Sequence, residues 1–188
     1  MKSIFNNTIF KTLFVAILSL SLFSCRNNDA PEDTHDHEEI EKATLTITEK
    51  GTDNVQVITY IGGETDKDLT LENGKTYTAI LDFFHKHDDH YHSMLDEIIE
   101  EKDEHFVTYE FAGVAATVTR ATDDVTRTDN NKLGIRTEWA ISSVPTVARV
   151  DIKLYHGATS VNSNSPSATN QLGTANGSSD LNMKITIK

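Results

Sequence analysis

A single cysteine, Cys25, stands in 188 residues, which excludes an intrachain disulfide and a thiolate-rich zinc site. Basic residues are scarce as well: 17 Lys and Arg face 29 Asp and Glu, for a formal charge of −12. Phosphate backbones are bound by clustered cations, so this balance argues against nucleic acid as a partner. The apolar stretch at residues 12–23 falls short of the roughly 20 residues a membrane-spanning helix needs. Catalytic signatures are missing too: there is no GxSxG, no P-loop and no GxGxxG, and His37-Glu38 opens like HExxH without the second histidine. Apolar residues make up 37% of the chain. That is low for one packed body of full length, yet enough for a sandwich of roughly 120 residues with tails.

The first tail reads as a targeting segment. Lys2 and Lys11 supply positive charge around the short apolar run, as in a secretory signal over residues 1–24. Leu22-Phe23-Ser24-Cys25 resembles a bacterial lipobox; in such lipoproteins cleavage falls before the cysteine and the thiol is lipidated. Acyl chains on Cys25 would then anchor a soluble domain. Cleavage there removes two lysines and no acid, taking the formal charge to −14. Arg26, not Asp, follows the cysteine, so the usual inner-membrane retention signal is absent. Asn27, Asn28, Asp29, Glu32 and Asp33 resemble the acidic export tether of Bacteroidetes surface lipoproteins. The expectation is an outer-membrane lipoprotein, facing the periplasm or the cell surface. Residues 25–42 form the tether, too polar to offset their ordering entropy by burial.

From residue 43 the apolar period becomes two. Strands are expected at residues 43–48, 55–60, 69–71, 75–84, 106–111, 114–119, 133–141, 146–155 and 181–187, with turns at Gly62-Gly63, Asn73-Gly74 and Ala112-Gly113. This pattern predicts one all-β domain over residues 43–188, an antiparallel Ig-like or transthyretin-like β-sandwich of about 7–9 strands. Its expected core includes Leu45, Ile47, Val57, Tyr77, Leu81, Phe83, Tyr109, Trp139, Ile152 and Ile185. Trp139 is read as core, not as a sugar platform. Residues 93–105 break the rhythm: Met94, Leu95, Ile98 and Ile99 stand at helical spacing among acids and predict a short inserted helix. Residues 157–180 contain 17 Ser, Thr, Asn, Gln or Gly among 24, and predict a long loop or irregular edge.

Thr76-Tyr77, Asp103-Glu104-His105 at the end of an acidic helix, Leu154-Tyr155-His156 and the Gly/Asn-rich approach to the last strand resemble a family of small Bacteroidetes outer-membrane lipoproteins. The resemblance covers about residues 38–188. Some of its members carry the label type 1 periplasmic binding fold, which implies a doubly wound α/β lobe pair. The strand-only rhythm and the length point to a sandwich instead. The resemblance brings no activity with it. The richer histidine run before the helix departs from the family pattern.

That run, residues 85–92, reads His-Lys-His-Asp-Asp-His-Tyr-His. If the strand continues, His85 and His87 share a face, and His90 and His92 can do likewise. Two facing His-x-His pairs would supply four imidazoles, a set that suits tetrahedral zinc and is also accepted by Cu(II) and Ni(II). Asp88, Asp89 and Asp96 are available as ligands or as acceptors for the outer imidazole N–H. The expected metal residues are therefore His85, His87, Asp89, His90 and His92, with His105 at the far end of the helix. His105 and His156 also read as structural partners at strand ends. A solvated loop whose histidines merely titrate near neutral pH is the plainer alternative. The string His85-x-His87-x-Asp89-His90 also matches the HxHxDH of metallo-β-lactamase-type hydrolases, where such residues hold two zinc ions and activate water. Here Tyr91-His92 stands where a glycine would follow. The sequence thus predicts a non-enzymatic, membrane-anchored lipoprotein that binds zinc or a similar divalent ion and hands it to a TonB-dependent receptor. The alternatives are a surface interaction or adhesion module without metal and, third, a zinc hydrolase. Of the 29 acids, 16 fall in residues 29–42 and 82–104, together with six of the eight histidines. Charge and imidazole are thus features of the tether and one inserted segment.

Overall fold

β-Branched and aromatic residues alternate with threonine and charge over most of the chain, and this is what a strand with one buried face requires. The computed structural model describes residues 39–164 and 171–188; the expected signal segment, Cys25, His35, His37 and most of the expected tether lie outside them. Two antiparallel sheets result. The first runs β3 (Glu64–Thr65), β2 (Val55–Ile61), β1 (Lys42–Glu49), β4 (Thr76–His87), β8 (Arg136–Ser143) and β7 (Ala115–Arg120), and β5 (His90–Ser93) pairs with the end of β4. The second runs β11 (Gln171–Leu172), β6 (Phe106–Ala112), β9 (Ala148–His156) and β13 (Ser178–Ile187). Two short strands, β10 (Val161–Asn162) and β12 (Thr174–Ala175), pair with each other inside the serine- and asparagine-rich stretch. The expected sandwich is therefore present.

Its core forms where the inner faces meet. Trp139 is fully buried, with Tyr109 and Phe111 edge-on at 6.0 and 4.9 Å between ring centroids. Burial of the indole N–H demands an acceptor, which Thr137 Oγ1 provides at 2.8 Å. Leu69, expected in a strand of its own, instead makes an isolated parallel bridge to Ile187: its N–H donates to Thr186 and its carbonyl accepts from Lys188, both at 2.9 Å.

One expected core residue points the wrong way. Val57 is 40% exposed, whereas its neighbour Ile58 is fully buried. The register explains this. Ile58 stands opposite the buried Leu45, and Val57 stands opposite Thr46. Directly paired residues share a face, so β2 buries its even positions. Ile58→Thr should cost about 2 kcal/mol or more through a lost apolar group and a buried hydroxyl. Val57→Thr should stay within about 0.5 kcal/mol. Urea unfolding checks both, and comparable losses at the two positions would refute the assigned faces.

The inserted helix is shorter than the spacing predicts. It is α1 (Leu95–Glu100), with Ile98 buried, and residues 101–104 continue as turns. Among the described residues no helix is long and apolar enough to cross a membrane.

Candidate metal centre

β4 keeps its alternation after the core ends. Phe83 is fully buried, His85 is half-buried and His87 is exposed, so the strand leaves the sandwich with its histidines on the core-side face. Asp88 and Asp89 turn the chain, with Asp88 at φ 56°, a left-handed conformation that Asp tolerates. The return strand pairs His92 with His85 and His90 with His87. All four imidazoles consequently share one face. The His85 and His92 rings stack at 5.6 Å, and His87 meets His92 edge-on at 6.2 Å. The turn carboxylates flank them, Asp88 3.5 Å from His87 Nδ1 and Asp89 3.1 Å from His90 Nε2. On the reverse face Lys42 Nζ lies over the Phe84 and Tyr91 rings, at 4.4 and 5.0 Å.

His105, the sixth expected ligand, belongs to a different group. It precedes β6; His156 ends β9, which pairs with β6; and Asp180 lies on β13, which pairs with β9. Topology thus brings together three residues separated by 75 positions of sequence. The two imidazole centroids are 4.8 Å apart. One ring nitrogen of each histidine and one carboxylate oxygen of Asp180 lie within 4.8 Å of one another, and among the described residues no other group of three or more His, Cys, Asp or Glu meets that spacing. His156 Nδ1 is 3.5 Å from Asp180 Oδ2, and its Nε2 is 3.3 Å from Glu104 Oε2.

His105 is oriented by a hydrogen bond and by burial. Its Nδ1 lies 3.2 Å from the Glu101 carbonyl oxygen, which can only accept, so Nδ1 carries the hydrogen. The lone pair then belongs to Nε2. The residue is 6% exposed, and burial pushes its pKa below the ordinary imidazole range, with a smaller contribution in the same direction from His156. Desolvation favours the neutral ring, the form that ligates metal.

The surrounding backbone is fixed by Arg127. Its guanidinium is buried and donates to the carbonyls of Lys102 (2.8 Å), His105 (2.5 Å), Asp103 (2.9 Å) and Ala158 (2.8 Å), and through Nε to Asp129 (3.2 Å). Asp103 in turn accepts from the Thr128 N–H at 2.7 Å, which holds its carboxyl below the usual range. This network joins the end of the helical insertion to the start of β6 and the segment after β9.

The structure therefore divides the expected ligands. His85, His87, His90 and His92 lie together on the hairpin, and Asp89 flanks them from the turn. His105 joins His156, which the sequence marks only as a strand-end partner, and Asp180, which it does not mark at all. The pairing of β13 with β9 shifts register between Ser179 and Leu181, so Asp180 is the extra residue of a bulge. Bulges re-aim side chains, and nothing in a Ser/Asn/Gly-rich stretch signals one. Scans against protein-family models, curated proteins and solved structures return no match for this chain.

Proposed function

We propose that this domain binds one divalent transition ion, zinc favoured, through His105 Nε2, a ring nitrogen of His156 and the Asp180 carboxylate. One observation carries the reading: a buried His105 with its Nδ1 committed to a backbone carbonyl stands against a second imidazole and a carboxylate. A hydrogen bond from the distal imidazole nitrogen is the usual support of a ligating histidine. Two nitrogens and one oxygen suit zinc, and a fourth position remains for Glu104 or water. In this reading the protein is a binding module, not an enzyme. It is anchored in the outer membrane by lipidated Cys25 and passes its ion to a TonB-dependent receptor. The short apolar run, the lone cysteine behind it and the acidic tether support that address.

The test uses the full chain with His85, His87, His90 and His92 changed to Asn, so that the hairpin histidines do not contribute. Competition against a chromogenic chelator should give one zinc equivalent. Outer-shell changes alone typically weaken metal sites about 10–100-fold, so His156→Ala should cost at least about a hundredfold, and Asp180→Asn at least about tenfold. Unchanged zinc affinity in His156→Ala would sink the proposal. His156 would then be simply an imidazole seated between two carboxylates.

A further inference from the structure

We infer that the hairpin face bearing His85, His87, His90 and His92 is a second metal site, open to solvent and built of imidazoles alone. It shares no residue with His105, His156 and Asp180, and it stands or falls independently of that site.

The argument starts from strand geometry. Cross-strand partners hold their Cβ atoms about 4.5–5.5 Å apart, and residues two along a strand are about 6.5–7 Å apart. The pairs His85–His92 and His87–His90 therefore mark the corners of a rectangle of roughly 5 by 7 Å. An ion above its centre is within reach of imidazoles from every corner at the usual metal–nitrogen length of about 2.0–2.1 Å. The stacked His85 and His92 rings, 5.6 Å apart at 23°, already stand side by side on this face. Only side-chain rotation is needed to converge them.

The backbone beneath is held in place. Met94 N–H donates to the Phe83 carbonyl at 2.8 Å, and Ser93 Oγ donates to Asp82 at 2.7 Å, closing the base of the hairpin. Lys42 covers the reverse face through Phe84 and Tyr91. Preorganisation of this kind lowers the ordering cost of binding. The turn aspartates add outer support. When His87 Nδ1–H donates to Asp88 and His90 Nε2–H to Asp89, the opposite nitrogen of each ring keeps its lone pair for the ion. With four borderline nitrogen donors and no thiolate, the ligand class is a divalent transition ion of the Zn(II), Ni(II), Cu(II) group. The hairpin lies on the surface; at the other site His105 is buried, His156 half-buried and Asp180 exposed.

Equilibrium dialysis of the full chain against zinc tests this. The unaltered chain should bind two equivalents, and the chain with all four hairpin histidines changed to Asn should bind one. The smaller change His87→Asn with His90→Asn, at two exposed positions, should weaken the hairpin equivalent at least tenfold while leaving the near-ultraviolet signal of Trp139 unchanged. Equal stoichiometry and affinity in the unaltered and four-Asn chains would overturn the inference. His156→Ala separates the two proposals: it should remove the other equivalent and spare the hairpin one.

Discussion

Arg127→Ala should destabilise the domain by about 3–5 kcal/mol, the range expected when a buried charged hydrogen-bond centre is removed and its partners are stranded. Arg127 is 4% exposed and spends all five of its guanidinium N–H donors, four on backbone carbonyls and one on Asp129. Alanine would leave the carbonyls of Lys102, Asp103, His105 and Ala158 facing a cavity that water can only partly repair. Against a total stability of about 5–15 kcal/mol, a loss of that size unfolds a noticeable fraction of the chain at 37 °C. Arg127→Lys keeps the charge but supplies three donors without the planar fork, and should recover less than half of the loss. Urea titration followed by the fluorescence of Trp139, the sole tryptophan, reads the effect directly. The same substitution should abolish zinc binding at His105 and His156 even under conditions where the domain is folded, because Arg127 ties the segment carrying His105 to the one following His156. Zinc on the hairpin should survive, since none of its anchoring contacts involves Arg127. A loss below about 1 kcal/mol would show that water replaces the guanidinium and that the clamp is dispensable.

Much of the sandwich is legible in the sequence because alternation fixes both the element and its face. β4 sets Tyr77, Ala79, Leu81 and Phe83 on one face against mainly Thr76, Thr78 and Asp82 on the other, and all four are buried. β2 fails the same test for a physical reason. Val55, Val57, Ile58, Tyr60 and Ile61 put apolar groups on both faces, and only pairing with β1 decides which is core. The hairpin histidines are also legible, since an unbroken strand period through residue 87 puts two of them on one face. The His105 centre is half legible. His105 and His156 stand out as strand-end histidines, but their meeting depends on β6 pairing with β9, a long-range choice. Arg127 lies between the strands expected at 114–119 and 133–141, and its role follows from carbonyls contributed by two distant segments. The predicted helix runs past its real end: Lys102 and Glu104 donate three residues back, to the carbonyls of Ile99 and Glu101, so residues 101–104 are turns.

Gly134→Ala should cost about 3–5 kcal/mol, far more than the ordinary loss of a turn glycine, because strain and collision add. Gly134 sits at φ +98°, and a Cβ there would lie 1.8 Å from Arg120 Nη1 and 3.0 Å from the Val107 carbonyl oxygen. A flexible side chain could normally step aside. Arg120 cannot do so cheaply. Its Nη2 donates to Val107 at 2.7 Å and its Nε to Ser163 at 3.2 Å, its guanidinium lies 4.3 Å from the Phe106 ring centroid, and Gly173 closes in from another side. Burial has already pushed the Arg120 pKa down to about 10, so the group remains charged at neutral pH while standing in a poorly solvated site. Gly134 is itself pinned, donating its N–H to Asp124 at 2.7 Å and accepting from the Tyr109 hydroxyl at 2.6 Å. Neither side of the collision has room to move. Gly51→Ala supplies the control. Gly51 has φ +80° but open space around its would-be Cβ, so that substitution should cost only the backbone strain, about 1–2 kcal/mol. In an Arg120→Met background the penalty of Gly134→Ala should fall toward the Gly51 value, giving a coupling above about 1 kcal/mol between the two positions. Equal losses for Gly51→Ala and Gly134→Ala, with no coupling to Arg120, would mean that the guanidinium moves freely and that the packing argument at this position is wrong.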